Sequence, residues 1–319
     1  MRLAFVSDSL AGLSFEAMLD EAVRLGVAGV EMNTCGWSTA PHLDLEALLA
    51  SADRRRAFRA AFEARGLEIV ALNANGNPLH PADPAQAEGL HDTIRLAGEL
   101  GVATVCTMSG LPAGCPGDRM PNWVVASWPP ETQGILRYQW EEVLIPFWTR
   151  TVALARAHGV ARIALELHGN QCVYNVPSLM RLRAAVGPAV GANLDPSHLF
   201  WMGADPLAAA GALGEALFHV HAKDTLRNAP VLATTSLLET GPLTDIPGRS
   251  WSYVTLGFGH GEDWWRQFCY RLRMAGYDGW LSIEHEDVLL NALEGLEKSV
   301  ALLKGVMPVA PADYSPQPI

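Results

Sequence analysis

Four short runs in the second half of the chain alternate apolar with polar residues. They are Arg162-Ile163-Ala164-Leu165-Glu166-Leu167-His168, Gly191-Ala192-Asn193-Leu194-Asp195, Leu217-Phe218-His219-Val220-His221 and Leu281-Ser282-Ile283-Glu284-His285. Side chains along a strand alternate faces with a period of two. Ile163, Leu165 and Leu167 therefore point one way, and Ala164, Glu166 and His168 the other. The same parity sets Asn193 and Asp195, His219 and His221, and Ser282 and Glu284 apart from their apolar neighbours. Carboxylates and imidazoles gathered on one interior need partners, because buried charge is costly when unpaired.

Strand-like and helix-like stretches alternate along the whole sequence. Leu3–Ser7, Gly29–Asn33, Leu67–Asn73 and Val102–Met108 precede the four runs above, giving eight strand candidates. Helices are predicted over Ser14–Leu25, Asp44–Arg65 with a break at Ser51, Ala85–Leu100 and Gln133–His158. Pro177–Val186, Asp205–Leu213, Glu262–Ala275 and Asp287–Lys304 complete the set. Ser or Asp at the start and Gly just past the end mark several of them. Repeated strand–helix units pair in parallel, and eight of them predict an α/β fold, a single (β/α)8 TIM barrel. A doubly wound sheet is the alternative, but no Gly-x-Gly-x-x-Gly turn opens the first unit. The barrel is expected over residues 1–307, followed by a Pro-rich tail over 308–319. Two connections, Ser109–Thr132 and Asp224–Gly261, exceed ordinary loop length and carry Gly, Pro and Trp. Both follow strands, on the C-terminal face where barrel enzymes build their sites, and are expected to cover a substrate.

The 319 residues are 49% apolar and 18% charged, which fits a substantial core. A formal net charge of −11 argues against nucleic acid and anionic membranes as partners. No apolar run is long enough to span a bilayer, and the first residues form a strand pattern rather than a signal peptide. Five scattered cysteines without Cys-x-x-Cys spacing predict reduced thiols and a cytoplasmic protein.

The inward residues nearest the strand ends are Glu166, Asp195, His221 and Glu284. Oxygen donors with one imidazole suit a single divalent ion, Mn²⁺, Mg²⁺, Co²⁺ or Zn²⁺, without choosing among them, and Mn²⁺ is the expectation adopted. The competing reading is a set of ion-paired residues at the barrel mouth, for which Lys223 and Arg227 are the obvious cations. His198, three residues after Asp195, is placed to reach a substrate hydroxyl, and Arg227 to orient a substrate oxygen. His168 is a candidate general acid/base or substrate contact, and His219 a hydrogen-bonded core residue. Metal with paired carboxylates suits proton removal beside a carbonyl, with Glu166 and Glu284 as the acid/base pair.

At Leu165-Glu166, Asp195-Pro196-Ser197-His198, His221-Ala222-Lys223-Asp224 and Ile283-Glu284, the chain resembles the xylose isomerase-like barrel superfamily of sugar isomerases and epimerases. The resemblance implies Glu166, Asp195, His221 and Glu284 as metal ligands and Glu166 with Glu284 as the acid/base pair. It implies a substrate-contacting role for His198 and Arg227, and Lys223, within one of the matching motifs, is expected to bind substrate with them. Ketose 3-epimerases of the superfamily carry a further Glu where Cys172 stands here. The long loops and Ile283-Glu284-His285-Glu286-Asp287 are similar to a subgroup, including C-glycoside deglycosidase catalytic subunits, that eliminates from 3-keto-glycosides. The expected function is thus a metal-dependent isomerase or epimerase acting on a ketose or keto-sugar through an enolate. A lyase and a non-catalytic sugar-binding barrel are the alternatives. The expected partners are a small sugar or glycoside, with a homo-oligomer or a small second subunit also open.

Overall fold

The computed structural model describes residues 1–314, so Ser315–Ile319 at the end of the Pro-rich tail lie outside the described residues. Ten strands form in chain order. They are β1 (Arg2–Val6), β2 (Gly29–Asn33), β3 (Glu68–Ala74), β4 (Thr104–Thr107) and β5 (Arg162–Glu166). β6 (Val190–Leu194), β7 (Leu217–Ala222), β8 (Asp224–Arg227), β9 (Trp251–Val254) and β10 (Trp280–Ile283) follow. Eight of them close into a parallel barrel in the order β1-β10-β7-β6-β5-β4-β3-β2, as the strand–helix repeat requires. The remaining pair, β8 and β9, forms a separate antiparallel ribbon.

Strand parity sorts the core into two compartments. Outward residues such as Phe5, Met32, Leu72, Val105, Leu165, Leu194, Val220 and Ile283 join the helices in one large apolar layer. Inside the barrel floor, Ala4, Val70, Ala71, Cys106 and Ala164 pack into a small apolar plug. Small side chains fit there because eight strands leave little interior width. Above this plug the inward positions turn polar, beginning with Glu31, Asn73, Asn193, His219 and Ser282, all buried.

Local signals set the helix ends. The side chains of Ser14, Asp44 and Ser51 each accept a backbone N–H of the turn they open. The stretch predicted as a broken helix is accordingly two, Leu45–Ala50 and Ala52–Glu63. Gly26 and Gly101 close their helices in the left-handed region.

Three expectations need correction. The helix predicted over Gln133–His158 begins at Glu131 and contains a π-helical turn, Tyr138–Leu144, just before Pro146. Proline has no N–H to continue the ladder, which favours such a break. The helix predicted from Asp287 starts at Ala292 instead. Asp287 fastens the 224–261 segment, its Oδ2 accepting from Thr255 N and Oγ1, both at 2.9 Å. The connection 224–261 is not plain loop, since it holds β8, β9 and a helix over Ala229–Thr235.

Both long connections are fastened down. Gln139, in the π-helical turn, donates its amide to the carbonyls of Pro112, Ala113 and Asn122 at 3.2, 3.3 and 2.6 Å. Buried Asp224 accepts from the backbone N–H groups of Gly257, Gly259 and His260 at 3.1, 3.2 and 2.9 Å. It also meets the His260 ring at 2.7 Å. One carboxylate thus ties the end of the segment back to its beginning.

Candidate active site

The C-terminal ends of β5, β6, β7 and β10 converge as the alternation predicts. One ligand atom from each of Glu166, Asp195, His221 and Glu284 lies within 4.8 Å of the others. His221 Nδ1 stands 3.6 Å from Glu166 Oε2 and 3.4 Å from Glu284 Oε2. Asp195 places Oδ1 on Ser197 N at 2.7 Å, capping the short helix Pro196–Met202. Its other oxygen, Oδ2, makes no well-formed hydrogen bond, with His198 Nε2 3.2 Å and Lys223 Nζ 3.7 Å away, and His221 Nδ1 makes none either. Both atoms are buried and face the shared space. A buried polar atom left without a good hydrogen bond costs about 1–3 kcal/mol, so a ligand that met both atoms would stabilise the cluster. The donor set, three carboxylates and an imidazole, fits a divalent cation.

Surrounding groups keep this cluster ionised. The Nε2 of His198 is 2.7 Å from Glu166 Oε1 and 3.2 Å from Asp195 Oδ2. Burial works against the His198 imidazolium, but the Asp195 charge and both carboxylate contacts outweigh it and raise its pKa to about 9. The Tyr253 hydroxyl sits 3.0 Å from His198 Nδ1, so the β8–β9 ribbon fixes this ring from behind. Lys223 Nζ lies 2.8 Å from Glu284 Oε2, 3.0 Å from Glu286 Oε2 and 3.7 Å from Asp195 Oδ2. Burial disfavours the Glu284 anion, yet Lys223 and His221 hold its carboxyl well below the usual range. Asn75 donates to Glu166 Oε2 from the opposite side.

A cavity of about 280 Å³ opens onto these groups, and Glu166, His168, His198, Lys223 and Glu284 all line it. That volume is at the small end for small-molecule sites. His168 lies with its ring 4.0 Å from the His198 ring and its Nδ1 bonded to Gly169 O. Burial and the neighbouring His198 charge push its pKa down to about 3, so the ring is neutral in ordinary buffers.

Arg227 does not join the site. Its exposed side chain donates to Phe200 O at 2.6 Å and is absent from the cavity wall. Arg227 lies on β8, which is not a barrel strand but pairs with β9 in the separate ribbon. Cys172 is buried in a separate cleft beside Trp123 and Tyr174. Neither 109–132 nor 224–261 contributes a residue to the cavity wall. The second segment acts on the site indirectly, through Tyr253 and His198.

The sequence reading missed residues of the first half. Asp8, Ser9, Asn33, Trp37, Ser38 and Asn75 form much of the wall. Gly36 makes this possible: its φ is +81°, and a Cβ there would overlap Asn75 O. Trp37 N then donates to that same carbonyl at 2.8 Å, which holds the loop against β3. Glu31 was also missed, although it follows the same parity, with Val30 and Met32 outward and Glu31 and Asn33 inward.

Comparison with known proteins agrees with the barrel fold. The chain is 49% identical over 308 residues to the uncharacterized protein YfiH of Bacillus subtilis (strain 168), spanning 95% of this chain and 98% of that one. Its fold is similar to the IolI protein solved with a binding zinc atom, at 19% identity and a TM-score of 0.65, covering 96% and 98% of the two chains. It is similar also to D-psicose 3-epimerase with D-tagatose from Clostridium cellulolyticum H10, at 13% identity and a TM-score of 0.60, again covering 96% and 98%. Among the described residues no helix is long and apolar enough to cross a membrane. A model of the xylose isomerase-like TIM barrel matches residues 19–306, and the chain belongs to that family.

Proposed function

We propose that this barrel is a divalent-metal-dependent isomerase or epimerase acting on a ketose or keto-sugar through an enolate. The observation that carries it is the pair Glu166 and Glu284, which reach His221 from β5 and β10 and both line the small cavity. Glu166, Asp195, His221 and Glu284 would hold the ion. When bound, the ion would polarise vicinal oxygens of the sugar and lower the cost of an enolate. Sugar epimerisation by D-psicose 3-epimerase and the zinc bound by IolI support both parts of this reading.

The chain's own residues supply the proton transfers. One of Glu166 and Glu284 accepts the proton beside the carbonyl, and the other returns one from its own side. Asn75 and His198 grip both oxygens of Glu166 and fix its orientation. Lys223 does the same for Glu284 and compensates charge as that carboxylate changes protonation. Asp8, Ser9, Ser38 and the neutral His168 offer hydrogen bonds to sugar hydroxyls, and Trp37 offers an apolar face. Elimination from a keto-glycoside would use the same proton abstraction and differ in the leaving group.

The test is incorporation of solvent deuterium beside the carbonyl across a panel of ketoses and 3-keto-glucosides, with Mn²⁺ supplied. Exchange is expected with at least one panel member, and product analysis separates epimerisation from elimination. No exchange with any of them, in protein that holds its metal, would contradict the proposal.

A further inference from the structure

Glu31 sits below the cluster, on β2, across the barrel from the residues that made the site legible. It is wholly buried. Its Oε1 and Oε2 lie 3.0 and 3.2 Å from His221 Nε2, and Oε2 also lies 2.7 Å from His219 Nε2. Asn73 donates to Oε1 at 2.7 Å. No Lys or Arg pairs with this carboxylate among the described residues, so its charge is met by two imidazole N–H groups and one amide. The opposite nitrogen of His221, Nδ1, is the unpartnered atom facing Glu166 and Glu284.

We infer that Glu31 is a positioning residue. By accepting the proton on His221 Nε2, it fixes the ring's tautomer and plane so that the Nδ1 lone pair faces the metal cluster. A histidine ligand is commonly oriented by a carboxylate on its other nitrogen, which also strengthens it as a donor. Here one carboxylate serves two rings. His219 holds Glu31 in place from below, which gives a reason for a second histidine one layer down from the ligand. Glu31, Cys106 and His219 also come close enough together to suggest an ion of their own. The direct 2.7 Å contact between Glu31 and His219 favours the relay instead.

This inference rests on the metal reading, and its test separates the two. Zinc affinity is measured by chelator competition on the full chain, for wild type and for Glu31→Gln, alongside ¹⁵N-histidine spectra of the zinc-loaded proteins. The expected result is one zinc per chain in wild type, with His221 protonated on Nε2 and ligated through Nδ1. Glu31→Gln should bind zinc about 10- to 100-fold more weakly and show an upfield shift of the Nε2 proton. Equal affinity and an unshifted proton in a folded Glu31→Gln protein would overturn the inference alone. So would two zinc ions in wild type falling to one in the variant, which would make Glu31 a ligand. If the variant does not fold, a proton found on His221 Nδ1 in zinc-loaded wild type overturns it by itself. A wild-type protein that takes up no ion overturns the metal reading and this inference with it.

Discussion

The two halves of the barrel contribute to the site in different ways. β5, β6, β7 and β10 place carboxylate and imidazole at their C-terminal ends, where the cluster forms. β1, β2 and β3 and the loops after them instead supply Asn75, Trp37, Asp8 and Glu31, which orient ligands or shape the cavity. The candidate ligands all come from one side; His198 and Lys223 support them from that same side, and Asn75 and Glu31 from the other. Closing the barrel brings the two together: β1 pairs with β10, with Phe5 opposite Ile283, and that register sets the β1 loop beside Glu284.

This division says where substitutions should hurt most. Glu166→Gln and Glu284→Gln keep size while removing the proposed base. Each should suppress solvent-deuterium exchange about 10²- to 10⁴-fold with far less effect on sugar binding. A variant exchanging at the wild-type rate would reduce that glutamate to a ligand. On the supporting side, Asn75→Ala removes a hydrogen bond to an ionised carboxylate, an effect of about 1.5–3 kcal/mol. That should appear as a roughly 10- to 100-fold slower exchange with the melting temperature little changed. An equal loss in stability and rate would mean that Asn75 is structural.

Asp224→Ala tests the brace behind the reactive half. It removes the partner of three part-buried N–H groups, those of Gly257, Gly259 and His260, and a loss of about 1–3 kcal/mol in unfolding free energy is expected. Limited proteolysis should then cut within 224–261 first. Arg227→Ala should do least: it loses one partly exposed bond to Phe200 O, about 1 kcal/mol or less, and leaves exchange unchanged. A large rise in KM there would restore Arg227 to the substrate.

What the sequence made legible follows the same division. Period-two alternation exposed Glu166, Asp195, His221 and Glu284 because a carboxylate or imidazole at an inward strand end is conspicuous. Glu31 obeys the same rule but stands alone in a short strand beside Asn33, so nothing nearby flagged it. Asn75, Trp37 and Ser38 lie past their strands, where parity no longer says where a side chain points. Their places depend on Gly36 and on tertiary contacts. Arg227 was misplaced for the converse reason. Spacing from His221 gave its distance along the chain, but not that it would lie on β8, paired with β9 outside the barrel. The π-helical turn at Tyr138–Leu144 had only Pro146 as a local cue, and it fastens a loop far away in sequence.

The account stands on four strand ends holding one divalent ion, and metal content measures that most directly. Protein purified without chelator and supplied with Mn²⁺ should carry one ion per chain. Asp195→Ala removes one of the four candidate ligands and should carry almost none, while its far-UV circular dichroism still reports a folded barrel. Full occupancy in a folded Asp195→Ala protein would contradict the account.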